Sequence, residues 1–156
     1  MDRRPESRYY LLIMRIGIDY IGVGVGAVIT RSDGKVFLAK RGKAARNERH
    51  RWEFPGGSVE FGETLEHAVV REVREEYDFD IIVHRLLDVI DHILPHEHQH
   101  WVSSTFLCSY AGGVPRIMEP HKCDQIRWFA VDDIPRELLT SASLKSLADF
   151  EEQVAR

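Results

Sequence analysis

The chain of 156 residues is poor in cysteine and proline, has no excess of positive charge and carries no long apolar run. Cys108 and Cys123 are too few to build a disulfide framework. Free thiols suit a reducing compartment, so a cytoplasmic location is expected. The apolar stretch Tyr9 to Met14 is far too short to span a bilayer, and no membrane partner is expected. No clear small-residue cleavage site follows it, which argues against a signal peptide behind the basic start Met1-Asp2-Arg3-Arg4. The stretch is read instead as a strand between Tyr9 and Ile18, or a subunit contact, within an N-terminal extension of residues 1–19; a homodimer is expected from it. A formal net charge of −4 argues against general binding of a nucleic-acid polymer, which needs a basic footprint. It leaves room for a small anion held by a few local Lys and Arg. Repeats, linkers and low-complexity segments are also missing, and at this length the rest is expected to be a single domain, residues 20–156.

What the chain does have is concentrated between residues 57 and 79. A glycine turn leads into an amphipathic helix from about Leu65 to Tyr77, with Thr64 as its N-cap. Leu65, Ala68, Val69, Glu72, Val73 and Glu76 form one stripe, apolar at its start and acidic at its end. Glu72, Glu75 and Glu76 stand at i, i+3 and i+4 and therefore share a face. Like charges so placed repel and weaken a helix by a few tenths of a kcal/mol per pair, ~0.2–0.5. A solvated surface would tolerate that. A divalent cation would turn the repulsion into coordination, and hard cations such as Mg²⁺ prefer carboxylate oxygens and phosphates.

The flanking pattern favours the metal. Gly57, Glu63, Arg71, Glu72, Val73, Glu75 and Glu76 match the signature G-x5-E-x7-R-E-U-x-E-E-x-G-U, U being a bulky aliphatic residue, and the chain resembles the Nudix hydrolases. Asp78 replaces the last glycine, and Phe79 the last aliphatic residue. The family glycine ends the helix in a left-handed conformation, which Asp visits less comfortably. A slightly strained or altered helix end is expected, with the metal positions upstream unaffected.

The strand pattern agrees with an α/β class. Gly22 to Ile29 alternates strictly, with Val23, Val25, Ala27 and Ile29 on one face and glycines on the other, open to a packed helix or a flat nucleobase. Asp33-Gly34 signals a hairpin turn and Lys35 to Lys40 its return strand. Further strands are expected at 81–90, 101–110 and 125–131, with Ala111-Gly112-Gly113 as a turn and a last helix over Ser141 to Val154. The resemblance implies more: an α/β/α sandwich with a mixed β-sheet.

The resemblance also implies a chemistry. Nudix enzymes hydrolyse a nucleoside diphosphate linked to another group, with Mg²⁺ (or Mn²⁺) shielding the phosphates and lowering the pKa of the attacking water. Carried over by position, Glu72 and Glu76 are the leading metal ligands, Glu75 a ligand or a base acting through water, and the Gly57 carbonyl a further ligand. Arg71 and Glu63 are the supporting pair that orients them. Glu119 is the candidate general base, and Asp124 a weaker one. Within the basic segment Arg41 to Arg51, Arg41 is the first choice for substrate phosphates. Phe54, Trp52 and Trp101 could stack a base, and each is also a normal core residue. His96, His98 and His100 at spacing two would share a face if extended, suggesting a transition-metal site. A polar loop is the preferred reading, with His98 or His100 left as a substrate contact.

Substrate choice lies outside the signature. Pro55-Gly56-Gly57 and the shortness of the chain resemble the mutator-type branch, which converts nucleoside triphosphates to monophosphates and pyrophosphate. Pro95, sixteen residues beyond Phe79, is a loose mark of ADP-ribose hydrolases, so ADP-ribose or a nucleotide sugar is the second expectation. A non-catalytic nucleotide-binding module is the third; the intact glutamates speak against it.

Overall fold

The structure is a computed structural model and describes residues 13–155. Its elements are β1 (Gly22–Thr30), β2 (Val36–Arg41), β3 (Trp52–Glu53), β4 (Gly56–Ser58), α1 (Leu65–Tyr77), β5 (Phe79–Leu94), β6 (Gln99–Gly113), β7 (Cys123–Phe129) and α2 (Ser141–Val154). Short 3₁₀ turns occupy Pro95–Glu97, Val131–Asp133 and Arg136–Leu138. Much of the run Tyr9–Met14 lies outside the described residues; Ile13 and Met14 are exposed. Of the strand expected there, the described part shows only an isolated bridge between Ile16 and Tyr20.

Among the described residues the strands form one sheet of order β3-β2-β1-β6-β5, with β4 added on β1 and β7 on β2. The β1–β6 pair is parallel and the others antiparallel, so the sheet is mixed. Alternation along β1 divides the core. Val25, Ala27 and Ile29 pack with Ala68, Val69, Val73 and Tyr77 of α1. Val28 on the opposite face packs with Leu147 and Phe150 of α2. Two helices on two faces of the sheet make the α/β/α sandwich.

Strands β5 and β6 are longer than the sequence pattern suggests, and Ala111-Gly112-Gly113 ends β6 rather than forming a turn. The reason lies in three register shifts, at Asp80/Ile81, Val83/Arg85 and Leu86/Asp88. Each shift changes which side chain faces the core, so the apolar alternation breaks while the backbone ladder continues. Gly112 and Gly113 take positive φ values of 152° and 96°, which lets the chain curve there.

The glycine face of β1 serves two purposes. Gly22, with Gly17, lies flat against the Trp101 ring, where a Cβ would overlap the indole. Gly24 and Gly26 border an open cleft. That cleft lies where β1 and β2 part: β1 pairs with β4 through Gly24, Val25 and Gly26, and with β2 at Thr30. Among the described residues no helix is long and apolar enough to cross a membrane.

Phe37 is the centre of the α1-side core. Its ring meets Tyr77, Phe79 and Trp128 edge-on at centroid distances of 5.4, 5.0 and 5.2 Å. Replacing Phe37 by Ala should lower stability by about 3–5 kcal/mol. Urea denaturation measures this, and a loss under about 1 kcal/mol would contradict the packing described.

Candidate active site

Helix α1 begins as its residues dictate. Thr64 has an extended backbone, and its hydroxyl accepts from the His67 N–H at 3.2 Å. Ala68, Val69 and Val73 are buried and fix the helix rotation. That rotation carries Glu72 and Glu76 to the cleft and leaves Glu75 outside its lining.

Arg71 is the hub of the turn and helix. Its Nε and Nη2 donate to the two Glu63 carboxylate oxygens at 2.9 and 2.7 Å. Nη1 donates to Glu72 Oε1 at 3.0 Å and to Glu75 Oε2 at 3.1 Å. Nη2 also donates to the Ser58 carbonyl at 3.0 Å. Glu63 in turn accepts from the Glu60 N–H at 2.7 Å. The Arg71 guanidinium holds the Glu63 carboxyl down to a pKa of about 2. Five bonds from one planar fork tie the glycine turn to three glutamates. The Glu72 carboxyl lies against Gly57, where a side chain of any kind would overlap it.

The cleft, about 360 Å³, is lined on this side by Gly57, Glu53, Glu72, Glu76 and Glu119. That volume lies within the range of small-molecule sites, ~300–1,000 Å³. Burial, followed by the neighbouring charges of Glu53, Glu72 and Glu119, raises the Glu76 carboxyl to about 8. Burial also raises Glu72, against the pull of Arg71. Glu53 is raised by burial too, although Arg41 Nη1 donates to it at 2.5 Å. Glu119 accepts from Lys122 Nζ at 2.9 Å.

Burial is the main cause of all three shifts, and for Glu76 the neighbouring carboxylates add to it. The donors are hard oxygens, which fit Mg²⁺ or Mn²⁺. Among the described residues no three acidic, histidine or cysteine side chains are grouped closely enough to hold an ion by themselves. Mg²⁺ usually takes one or two carboxylates and completes its shell with water and substrate phosphates, and Glu72 and Glu76 offer such carboxylates at the cleft.

Opposite the acids, residues 42–51 form a loop built on buried polar contacts. Arg41 Nε donates to the Asn47 carbonyl at 2.8 Å, and Nη2 donates to Asn47 Oδ1 at 3.0 Å. Asn47 Nδ2 donates to Gln99 Oε1 at 2.8 Å, which also accepts from the Trp101 indole N–H at 3.1 Å. Arg41 lines the cleft, but Glu53 and Asn47 occupy its guanidinium. Arg46 is the freer cation: it lies over the Trp101 ring at 4.5 Å and reaches only Ser58 Oγ, at 3.4 Å. Burial, and then the charge of Arg41, lowers its pKa. Glu48 ties the same loop to the start of α2. Its carboxylate accepts from the Ser141 N–H at 2.9 Å and sits 3.0 Å from His92 Nε2.

Phe54 and Trp101 border the cleft, whereas Trp52 belongs to the α2-side core. His100 does not line the cleft; its backbone N–H donates to the Gly17 carbonyl at 2.8 Å. Pro95–Glu97 is a 3₁₀ turn and His98 is left-handed, so the three histidines do not share an extended face. Arg46 falls in the basic segment that the sequence pointed to, although Arg41 was preferred there; Glu53, Asn47, Glu48 and His92 were not picked out by sequence reasoning. A charged Glu53 between Trp52 and Phe54 was the one local signal; the others depend on contacts across the fold.

Asp78 ends α1 in the left-handed conformation, φ 56° and ψ 40°, and its N–H donates to the Arg74 carbonyl at 3.0 Å. The replaced glycine thus keeps its backbone role. The Asp78 carboxylate adds an ion pair with Arg116. The Arg116 N–H donates to the Tyr77 carbonyl at 2.9 Å, and the Met118 N–H to the Glu76 carbonyl at 3.0 Å. The segment leading to Glu119 is therefore fastened to the end of α1.

Known proteins similar to this chain agree on one class. The NUDIX domain model matches residues 21–150. A MutT NUDIX hydrolase from Burkholderia pseudomallei is 40% identical, with a TM-score of 0.74 over 83% of this chain and 98% of that one. The CTP pyrophosphohydrolase of Escherichia coli is 30% identical over 82% of this chain and 90% of its own length. A putative nudix hydrolase 1 of Caenorhabditis elegans is 31% identical over 74% of this chain, which spans only 31% of that protein. The chain belongs to the Nudix family of hydrolases, in its MutT-type branch.

Two outcomes follow from this geometry. A carboxyl raised in the folded state binds more protons there than when unfolded, so ionising it destabilises the fold. In EDTA, melting temperature should fall as pH rises from the ordinary carboxylate range toward about 8, the raised value of Glu76. Glu76→Gln should flatten that slope, and Mg²⁺ should restore stability at the alkaline end; a flat profile for the parent in EDTA would contradict the assignment. Separately, Arg116→Ala should lose up to about 1 kcal/mol in the parent and almost nothing beside Asp78→Gly. Urea denaturation of the four proteins tests the coupling, and effects additive within about 0.3 kcal/mol would show that the pair contributes none.

Proposed function

We propose that the protein hydrolyses a nucleoside triphosphate to the monophosphate and pyrophosphate in a metal-dependent reaction. The observation that carries this reading is the convergence of Glu53, Glu72, Glu76 and Glu119 on one cleft beside Gly57, with Arg46 and Lys122 at its rim. Bound Mg²⁺, or Mn²⁺ in its place, would shield the phosphate oxygens and lower the pKa of the attacking water. Glu72 and Glu76, with the Gly57 carbonyl, are the residues suited to hold it, and Glu75 is a further ligand or a base acting through water. Arg71 and Glu63 keep the glutamates in register by the five bonds described. Glu119, which lines the cleft and accepts from Lys122, is assigned as the general base. Arg46 is assigned to the phosphate chain in preference to Arg41, because Arg41 is already occupied.

The nucleotide class draws support from the relatives. The Escherichia coli protein is a CTP pyrophosphohydrolase, and the Burkholderia structure carries the MutT name. Gly56 supports it less than the sequence suggested: a Cβ there would overlap the Val25 carbonyl, so glycine is demanded by the β4–β1 pairing whatever the substrate.

The test is product analysis with Mg²⁺ across ribo- and deoxyribonucleoside triphosphates, ADP-ribose and nucleotide sugars. Pyrophosphate from a triphosphate is expected, and Glu76→Gln should slow turnover roughly 10³-fold. Cleavage of ADP-ribose with triphosphates untouched would replace the reading by the second one. Nucleotide binding without any cleavage would mark a binding module, and a Glu76→Gln variant as fast as the parent would remove the metal assignment.

A further inference from the structure

Beyond Gly24, one end of the cleft is walled by Gly26, Ser103, Thr105, Ser143 and Ser146. It is flat on the β1 side, because Gly26 presents no side chain; a Cβ there would stand 3.4 Å from Thr105 Oγ1. Thr105 and Ser146 are 5% and 2% exposed, and their hydroxyl oxygens lie 3.2 Å apart. Ser143 Oγ is already engaged, accepting from the Phe54 N–H at 3.0 Å.

Behind this wall stands Asp88, directly opposite Thr105 across the β5–β6 ladder. Both its carboxylate oxygens are buried and have no hydrogen-bond partner within 3.5 Å. Burial raises its pKa, the Ser146 and Thr105 hydroxyls act against that rise, and Asp149 and Lys145 add smaller effects of opposite sign. A buried carboxyl without a donor is unfavourable by a few kcal/mol, ~1–3 or more. The hydroxyls acting on it are those of Thr105 and Ser146. Counting protons settles what they show to the cleft. Two hydroxyls carry two protons. One bridges the Thr105–Ser146 pair, and the other would reach the unpartnered Asp88 carboxylate on rotation of its side chain. Only lone pairs of this pair then face the cleft, so Thr105 and Ser146 accept hydrogen bonds there, while Ser103 and Ser143 keep hydroxyl protons of their own.

We propose that this end of the cleft recognises an exocyclic amino group of the nucleotide base, with Asp88 as the positioning residue that fixes the Thr105 and Ser146 hydroxyls as acceptors. The inference rests on the nucleotide reading of the cleft, not on its hydrolysis. A base lying on the Gly24–Gly26 wall would bring its edge to the hydroxyl pair. A base without the amino group would leave the acceptors unpaired and lose affinity, since sites built to hydrogen-bond a group reject analogues lacking it.

The test is isothermal titration of the whole protein, with Mg²⁺, using monophosphates that differ by one amino group. The pairs are CMP and 2-pyrimidinone ribonucleoside monophosphate, AMP and purine ribonucleoside monophosphate, and GMP and IMP. At least one pair should favour the amino-bearing member about tenfold or more. Asp88→Asn, whose amide donates to the hydroxyls and frees their protons toward the cleft, should bring that ratio to one or below. Melting temperature reports whether the variant folds, and Asp88→Ser serves if it does not. Binding of all six ligands within twofold of one another, no binding at all, or a ratio unchanged in a folded variant overturns the proposal. Pyrophosphate release measured alongside separates the two readings. Cleavage without amino discrimination leaves the hydrolase and removes this site, whereas discrimination without cleavage does the reverse.

Discussion

The site depends on one guanidinium. Arg71, at the middle of α1, binds Glu63 through both oxygens, Glu72 and Glu75 through one each, and the Ser58 carbonyl. Without that positive centre, the glycine turn and the helix would bring carboxylates together with nothing to set their directions. A lysine would supply the charge but not the planar fork that makes five bonds at once. Gly57 completes the arrangement by leaving room for the Glu72 carboxyl. Charge and shape thus act together: the fork orients, and the missing side chain admits.

The acids that Arg71 does not hold show what the arrangement is for. Glu76 lies beyond its reach, half-buried and near Glu53, Glu72 and Glu119, and its pKa rises to about 8. Holding such a group ionised in the fold is unfavourable unless a cation joins it. The opposite side of the cleft follows another logic. There the charges are paired internally: Arg41 with Glu53 and Asn47, and Glu48 with His92 and the start of α2. These contacts hold a loop rigid and leave Arg46 above Trp101 with little to bind inside the protein. One side of the cleft is strained electrostatically and the other is braced, which is the contrast expected where a charged ligand enters.

Sequence reasoning worked best where function is encoded locally. The helix from Leu65 to Tyr77, its Thr64 cap and the shared face of its glutamates follow from spacing along one element, because an α-helix converts sequence separation into direction. The departure at Asp78 was visible too; its consequence was not, since Arg116 lies 38 residues away. The β5–β6 ribbon was harder. Its three register shifts break the period-two pattern on which strand recognition depends, so the apolar signal ended before the hydrogen-bonded ladder did.

By itself the sequence determined the family, the acidic helix and the turn that opens it. These rest largely on spacing within one turn and one helix, although core packing sets the direction the helix face takes. Only the tertiary structure decided which cation is free to meet a ligand, which histidine touches a carboxylate, and which acid stands behind the far wall of the cleft. Arg41 and Arg46 are equivalent as sequence; pairing with Glu53 and Asn47 makes one a brace and leaves the other open. Asp88 and Thr105 are 17 residues apart in an unremarked stretch, and the β5–β6 ladder places them opposite each other. Such assignments depend on partners brought together by strand register and helix packing, and no local pattern records them.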